Sequence, residues 1–320
     1  MADPRKGWQS YLFLAKETTW GTLDNTVYFY MPVTDYTVDV TQSPQFAAVK
    51  LGQRQRRHTF NERLGLAGNL SAPLLAGYPD VDGVPQTSES WAEKLINWAM
   101  AATGSALQSH TAEWDDGENE RRDLGLRVGN MTLSGSQSAG VNISLDLIGK
   151  NRVDNFGSLQ SIPADPPPLN QFTMSGATLT LDPDGTPLVL CLSAFSLTVN
   201  NNLNPDFCDE ATATLLLAGE REVAFNFTAF ADRDSRDWGA DVNAILSDIT
   251  TQGLDMRLNF VGDHGGTGAD DNTTMQIDMP IWVPQTAPKA GGKNDTITVT
   301  PGGVAVAGSS ADVAFTFGTS

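Results

Sequence analysis

The chain has 320 residues, of which 40% are hydrophobic and 18% are charged, a composition typical of a globular protein rather than of a disordered one. Its length allows two domains of ordinary size. The formal net charge of −18 argues against tight binding of nucleic acid, because phosphate binding needs a cationic face.

The sequence gives no sign of a membrane-spanning or secreted protein. No run approaches the roughly 18 apolar residues of a membrane-spanning helix, and residues 1–10 have no apolar stretch typical of a secretory signal. We therefore expect folding in a cytoplasm, without membrane contact. In that compartment the two cysteines, Cys191 and Cys208, are expected to be unpaired thiols, with a disulfide as the alternative.

Alternation of apolar and polar residues predicts half-buried, mostly antiparallel strands along most of the chain. Apolar runs at 27–31 and 188–192 each lead into an alternating segment. The alternating segments are 36–40, 141–147, 195–199, 223–227, 254–260 and 275–281, with further strand signals at 297–299 and 313–317.

Two short helices with the same apolar spacing interrupt the strands. Ser90 with Glu93 forms a capping-box pattern before the first helix, and Asp237 precedes the second. Gly104 and Gly253 are the expected stops, so the helices are predicted at about 90–103 and 238–250. The residues on the apolar stripes are Trp91, Leu95, Trp98 and Ala102 in the first helix, and Trp238, Val242, Ile245 and Ile249 in the second.

One helix in each β-rich half suggests that one fold occurs twice. The sequence predicts a mainly β protein of two tandem antiparallel units, sandwiches or half-barrels, each with one flanking helix. The first unit is residues 1–162, the proline-rich linker is 163–170, and the second unit is 171–285. Residues 286–320 either complete the second unit or form a small appendix.

Two long polar stretches, 42–62 and 262–272, lie between predicted strands, and long loops in compact domains are often functional. The first contains a cationic cluster in an acidic chain. That cluster is a solvated loop or a contact for an acidic surface of another copy, since arginine pairs well with carboxylates, with nucleic-acid contact as a third alternative. Its residues are Arg54, Arg56, Arg57 and His58.

A catalytic site is not predicted. The three histidines, His58, His110 and His264, are far apart and are expected to be exposed or in loops. Acidic residues between 113 and 123 are expected in a solvated loop, which would not tune a carboxylate pair for glycoside hydrolysis. A single glycine- and aspartate-rich stretch at 263–271 leaves an ion site conceivable, although a flexible acidic loop is the preferred interpretation. We predict no enzyme activity, no cofactor and no metal ligand.

Three segments near the start resemble the major tail tube proteins of long-tailed phages. They are Tyr11–Glu17 (YLFLAKE), Thr19–Thr22 (TWGT) and Met31–Val33 at the end of an aromatic strand. The resemblance extends over about residues 8–285 and includes twisted antiparallel strands, one helix per unit and a long polar loop after the first strands.

The resemblance implies a structural virion protein that forms rings whose inner sheets join into a continuous β-barrel lumen. The rings stack into the tail tube, through which DNA passes without specific binding. Members with one unit form hexamers, and members with two units form trimers that imitate a hexamer; the two predicted helices favour the second form. The loop at 42–62 lies where the family places a loop that reaches the neighbouring ring.

The implied partners are further copies of the chain and the tape-measure, terminator and tail-tip proteins, after assembly in the host cytoplasm. We expect the lumen to be lined by Asp, Glu, Asn, Ser and Thr, because a negative wall repels phosphate at close range. Two alternatives are a monomeric β-sandwich adhesion module that binds a glycan or protein, and a carbohydrate-active enzyme.

Overall fold

The protein is described by a computed structural model that is mainly β, with one α-helix in the part it describes. The described residues are 12–23, 27–46, 59–78, 80–81, 84–85, 89–100, 107–115, 120–137, 139–154, 156–157, 170–175, 177–181, 188–206, 215–230, 254–263, 272–285, 298–299, 302–306 and 312–319. We call residues 12–154 the first half and residues 177–319 the second half.

The elements follow one another in the order in which they are listed here. They are β1 (Leu12–Lys16), β2 (Phe29–Met31), β3 (Asp35–Tyr36), β4 (Asp39–Phe46), β5 (Thr59–Pro73), β6 (Asp80–Val81), β7 (Val84–Pro85), α1 (Trp91–Ala99), β8 (His110–Asp115), β9 (Glu120–Ser136), β10 (Ala139–Gly149), β11 (Asn151–Asp154), β12 (Thr178–Leu181), β13 (Leu188–Asn200), β14 (Leu203–Asp206), β15 (Leu215–Ala218), β16 (Glu222–Phe230), β17 (Leu254–Asp263), β18 (Asn272–Pro284), β19 (Thr298–Val299), β20 (Gly302–Ala305) and β21 (Ala314–Thr319).

The long strands form one antiparallel surface that runs through both halves of the chain. Its order is β4, β5, β10, β9, β13 and β16, with β19 and β20 on the far side of β16. The β9–β13 pairing joins the two halves within one sheet. In the second half the pairings close a ring, from β13 through β16, β20, β18, β17 and β12 back to β13.

The pairings of the first half recur in the second half in the same register. We call two residues counterparts when they occupy the same place in matching pairs. Each match is given with the pair of the first half before that of the second: Leu12↔Met31 with Leu179↔Leu190; Leu14↔Ala112 with Leu181↔Met256; Tyr36↔Leu70 with Phe195↔Phe227; Val40↔Leu66 with Val199↔Val223; Leu66↔Gly149 with Val223↔Ala305; Arg127↔Ile148 with Val283↔Val304; His110↔Leu126 with Leu254↔Trp282; and Arg122↔Val153 with Asp278↔Ala314.

An irregularity recurs with the pairings. The register between β8 and β9 shifts between His110 and Ala112, and the register between β17 and β18 shifts between their counterparts, Leu254 and Met256. A bulge re-aims the side chains that follow it and locally increases the twist of the strand. The same distortion therefore bends the same strand in both halves.

Five of the six alternating segments are strands whose apolar residues are buried at 141–147, 195–199, 223–227, 256–260 and 275–279. The sixth, 36–40, is divided between the end of β3 and the start of β4, with Val38 buried and Val40 41% exposed. The long loop predicted at 42–62 is shorter than expected. Residues 42–46 and 59–62 belong to β4 and β5 and pair with each other, as in Gln45↔Phe60 and Phe46↔Thr59. The polar residues at these positions belong to two paired strands, because backbone hydrogen bonds form a ladder irrespective of side-chain polarity.

The first helix begins where it was predicted and ends earlier. The Ser90 hydroxyl accepts from the Glu93 amide at 3.2 Å, and the Glu93 carboxylate accepts from the Ser90 amide, which completes the capping box. The helix ends at Ala99 because Met100 is extended. Ala102 and the predicted stop Gly104 lie outside the described residues. The second predicted helix, the linker at 163–169 and the second polar stretch at 264–271 lie outside the described residues.

The apolar face of the sheet and the helix α1 enclose the core. Trp91 and Trp98 are fully buried, and their indole N–H groups donate to the carbonyls of Tyr30 and Leu126 at 2.8 and 3.2 Å. Both buried indole N–H groups are thus hydrogen-bonded. The helix lies on the apolar side of the sheet, opposite the polar face described below. In the part of the chain that the structure describes, no helix is long and apolar enough to cross a membrane.

Candidate functional site: the polar sheet face

The side of the central sheet that faces away from the core is polar across five adjacent strands. Alternation along each strand places apolar side chains in the core and leaves the intervening residues on the opposite face. The registers align these residues into three rows: Asn69, Asp146, Asn130, Asn200 and Glu222; then Ser71, Ser144, Thr132, Thr198 and Ala224; then Pro73, Asn142, Ser134, Ser196 and Asn226. None of these positions is Lys or Arg, and two are acidic.

Hydrogen bonds run across the strands within the first two rows. The Asn69 amide donates to Ser144 Oγ at 2.8 Å and to Asp146 Oδ1 at 3.1 Å. From the other side Asn130 donates to Asp146 Oδ2 at 3.2 Å. One carboxylate therefore links three strands, which fixes the side chains of the face without a cation. Cross-strand pairs of this kind stabilise a sheet in addition to its backbone ladder.

The face continues from the first half into the second at the β9–β13 seam. Backbone bonds mark both ends of the seam, from Gln137 to the carbonyl of Ser193 at 3.0 Å and from Asn201 to the carbonyl of Gly129 at 2.8 Å. The buried Asn201 amide also donates to the carbonyls of Ala99 and Val128, at 2.9 and 3.0 Å. The sequence did not indicate this seam, because no local pattern specifies which long strand lies beside another.

Behind the face, the first half buries carboxylates that were predicted to be in a solvated loop. That prediction is wrong for Glu113 and Asp123, which are fully buried in β8 and β9. Glu113 accepts from Tyr28 Oη and Arg122 Nε, both at 2.7 Å. Burial and the adjacent carboxylate raise the pKa of Tyr28 well above its ordinary value. The two carboxylates lie on opposite faces of the β8–β9 pair, because Asp123 is opposite Ala112 and Glu113 is opposite Arg122. Aromatic and arginine donors reach both oxygens of Asp123 and Oε1 of Glu113, whereas Glu113 Oε2 has no partner among the described residues.

Asp123 lies at the centre of a cluster of three donors. It accepts from Tyr36 Oη at 2.7 Å, from Trp114 Nε1 at 3.1 Å and from Arg152 Nε at 2.6 Å. Burial and the Asp123 charge raise the pKa of Tyr36. Burial lowers the pKa of Arg152, but Asp123, Asp39 and Tyr36 together raise it above its ordinary value. The donors satisfy the carboxylate fully, so the cluster holds β3, β8, β9 and β11 together and leaves no open position for a substrate.

His110 also contradicts its prediction as an exposed or loop residue. It is 4% exposed in β8, with its ring 4.6 Å from the Trp98 ring and edge-on to Phe29 at 6.4 Å. Burial lowers the pKa of His110 to about 3, so the ring is neutral at pH 7. It is therefore a core side chain.

The cationic cluster proposed from the sequence, Arg54, Arg56, Arg57 and His58, lies outside the described residues, as do His264 and the stretch 264–271. Within the residues that are described, no three His, Cys, Asp or Glu side chains are placed to hold a metal ion. Cys191 is a free thiol, and Cys208 is not among the described residues.

Comparison with known families agrees with the resemblance seen at the start of the chain. No curated protein sequence matches the chain. A family model described as phage tail tube protein matches residues 7–317, nearly the whole chain. The polar sheet face and its helix-backed apolar side thus occur in a structural protein of the tail tube: the chain belongs to the phage tail tube protein family.

Proposed function

We propose that the protein is a two-unit tail tube protein of a long-tailed phage. Three copies form a ring of six similar units, and the rings stack into the hollow tube that conducts DNA during genome ejection. The observation that carries the proposal is the recurrence of the strand pairings in the same register, including the bulge after His110 and Leu254. Two units of one topology, joined side by side in one sheet, suit a ring of repeated units.

The proposed units are residues 1–162 and 171–285, separated by the linker 163–170. Residues 286–320 are assigned to the second unit. This assignment is supported by the pairing of β20 with both β16 and β18, and by that of β21 with β18. The corresponding strands of the first half, β10 and β11, have the same neighbours.

We assign the polar sheet face to the lumen. Asp146 and Glu222 give its rows a negative charge, and amide and hydroxyl side chains occupy most of the remaining positions. These three rows offer phosphate no cation to bind, and Arg127 in the next row donates to the carbonyl of Leu216, so DNA moves along the face without being held. A reconstruction in which the lumen is basic or apolar would contradict this assignment.

We assign the contact between stacked rings to the cluster Arg54, Arg56, Arg57 and His58, which follows β4. The rest of the chain is strongly acidic, so a cationic loop of one ring meets carboxylates of the next. Exchanging the three arginines for serine is expected to leave single rings intact and to abolish stacking. The same variant would form tubes of normal length if the loop made no contact between rings. The tape-measure, terminator and tail-tip proteins remain the proposed partners at the ends of the tube.

Electron microscopy of the purified full-length protein tests the proposal. We expect rings or hollow tubes with three-fold symmetry and six similar lobes per ring. Six-fold symmetry with one chain per lobe would contradict the two-unit assignment, whereas stable monomers at high concentration would contradict the tube itself and favour a binding module.

A further inference from the structure

Each half of the chain carries a hairpin at the same place in its sheet. The Thr41↔Gly65 pair of the first half is the counterpart of the Asn200↔Glu222 pair of the second, and a hairpin follows each of them. We call the part of β4 and β5 beyond Thr41↔Gly65 the first hairpin, and β14 with β15 the second hairpin. A difference between the two hairpins therefore arises from their own residues and contacts and not from their place in the topology.

The first hairpin continues its sheet, whereas the second leaves it. The ladder between β4 and β5 runs on, through one bulge, as far as Phe46↔Thr59, and β10 pairs with β5 no further than Leu66. The ladder between β13 and β16 ends at Asn200↔Glu222, and β14 and β15 form a separate two-stranded sheet. The first hairpin thus projects past the neighbouring strand, and the second is bent out of line.

The bend of the second hairpin depends on a residue with a left-handed backbone. Asn202 has a φ of +47°, the only positive φ of a non-glycine residue in the part of the chain that the structure describes. Its side chain donates to the carbonyl of Glu220 at 2.6 Å, and its own carbonyl accepts from the Gly219 amide at 3.1 Å. A Cβ atom on Gly219 would lie 2.9 Å from that of Asn202, so this close approach requires glycine.

The bent hairpin is bound to the first half of its own chain. Leu216 is 4% exposed, and its carbonyl accepts from Arg127 Nη1 on β9 at 3.2 Å. The Arg127 guanidinium also lies 5.4 Å from the centre of the Trp20 ring, within the range of a cation–π contact. Asn201, directly before the bend, holds β13 to β9 and to the end of α1. Because a charged donor forms a stronger hydrogen bond than a neutral one, Arg127 fixes the hairpin on β9.

An ion pair anchors the chain where it leaves the second hairpin. Arg221 Nε donates to Asp312 Oδ2 at 2.9 Å, and a second bond joins Arg221 Nη2 to Asp312 Oδ1. Asp312 is buried, and the bidentate geometry fixes both side chains. The corresponding residues of the first half are Leu64 and Asn151, which cannot form an ion pair. This anchor is therefore peculiar to the second half.

The loops at the tips of the two hairpins differ in length and charge. The loop of the first hairpin, residues 47–58, has 12 residues and contains the cationic cluster described above but no carboxylate. The loop of the second hairpin, residues 207–214, has 8 residues and contains Asp209 and Glu210 but neither Lys nor Arg. In a chain with a net charge of −18, a cationic tip is attracted to another copy, whereas an acidic tip is repelled.

We propose that each chain offers one of its two hairpins, not both, to the next ring. The first hairpin reaches an acidic surface of another copy, and the second hairpin stays bound to the first half of its own chain. The inference rests on the proposed stacking of rings and specifies its geometry. A ring of three chains contacts the next ring through three arms instead of six.

Shortening each loop in turn tests the number of arms. In two full-length variants, Asn-Gly replaces either residues 47–58 or residues 207–214, so that a two-residue turn closes the last strand pair of the hairpin. We expect the first variant to form single rings that do not stack, because its arm is lost. The second variant is the matched control and is expected to form tubes of normal length. Negative-stain electron microscopy distinguishes single rings from tubes.

Two results of this experiment would overturn the inference and leave the proposed tube intact. If the second variant stacked no better than the first, both hairpins would reach the next ring. If the first variant stacked as well as the parent protein, the first hairpin would not be the arm. A parent protein that formed no ring would overturn the proposed function as well.

Hydrogen exchange tests, without any assembly, whether the second hairpin is bound to its own chain. Asn202→Val opposes the left-handed bend, because a β-branched residue is strained there, whereas Asn202→Gly keeps it. An isolated two-stranded hairpin is only marginally stable, so its amides exchange faster once it is released. We expect the amides of β14 and β15 to exchange roughly tenfold faster in full-length Asn202→Val than in the parent, and at nearly the parental rate in Asn202→Gly. Exchange at the parental rate in Asn202→Val would show that the bend does not keep the hairpin on its own chain, and would overturn the inference.

Discussion

The two halves of the chain fill equivalent buried positions with side chains of different chemistry. In the first half, Asp123 is buried with Tyr36, Trp114 and Arg152. The counterparts in the second half are all apolar: Met279, Phe195, Leu258 and Val313, the last by its place before Ala314. All four of these are buried as well.

This comparison separates what specifies the fold from what stabilises it. The strand registers are the same whether the cluster is ionic or apolar, so alternation and the backbone ladder specify the pairing. A buried ion pair costs much desolvation and often stabilises no more than apolar residues of similar volume. The ionic cluster of the first half is therefore not required for the topology; its specific contribution is the reach of Arg152 to the β4 edge at Asp39.

The largest expected effect comes from removing the carboxylate of Asp123 while leaving its arginine partner in place. Asp123→Met leaves the guanidinium of Arg152, whose side chain is 6% exposed, without its main partner. Removing one member of a buried ion pair costs about 3–5 kcal/mol. We expect a loss of that size in the free energy of unfolding, measured by urea denaturation at pH 7.

The control replaces all four residues of the Asp123 cluster by their apolar counterparts. A fourfold variant with Tyr36→Phe, Trp114→Leu, Asp123→Met and Arg152→Val reproduces the cluster of the second half. We expect it to recover most of the stability lost by Asp123→Met, because no buried charge is left. If the fourfold variant were less stable than Asp123→Met alone, the two clusters would not be interchangeable, and the comparison would fail.

A smaller effect depends on pH. His110 is neutral and buried, whereas its counterpart is Leu254. Since the pKa of His110 is about 3 in the folded chain and about 6.5 when unfolded, the unfolded chain binds more protons between these values. Folding stability from this group is thus lost as the pH falls below 6.5, by about 2 kcal/mol at pH 5.

His110→Leu, which copies the second half, tests this difference. The free energy of unfolding of the parent protein is expected to fall more steeply than that of His110→Leu between pH 6.5 and 5. Parallel curves would mean that the ring binds a proton as readily in the folded chain as in the unfolded chain. Carboxylates that titrate in the same range affect both proteins equally, so the difference between the curves isolates the histidine.

The sequence predicted the elements better than their environment. Alternation identified the strands because one face of each is buried, and Ser90 with Glu93 located the start of α1 through a local hydrogen bond. The acidic stretch of Glu113 and Asp123 was misassigned because its charges suggested solvent. No local pattern indicated this burial, because the compensating donors come from distant strands, as Tyr28 does for Glu113. The polar face needed the registers, which depend on long-range pairing.

The smallest expected effect concerns an ion pair whose orientation is reversed between the halves. Glu113 on β8 pairs with Arg122 on β9, whereas their counterparts are Arg257 on β17 and Asp278 on β18, 2.6 Å apart. The second pair is partly exposed, at 35% and 24% for the two side chains, so removing it is expected to cost less than about 1 kcal/mol.

Reversing the second pair shows whether the order of the charges matters. Arg257→Glu places two carboxylates opposite each other and is expected to cost about 1 kcal/mol, as is Asp278→Arg, since like charges in directly opposed positions destabilise a sheet. The double variant copies the arrangement of the first half and is expected to regain most of that loss in a double-mutant cycle of unfolding free energies. Additive losses would mean that each side chain is fixed by neighbours peculiar to its own half. Recovery would mean that the register requires only opposite charges at this position, which is why the two halves can carry them in opposite order on one topology.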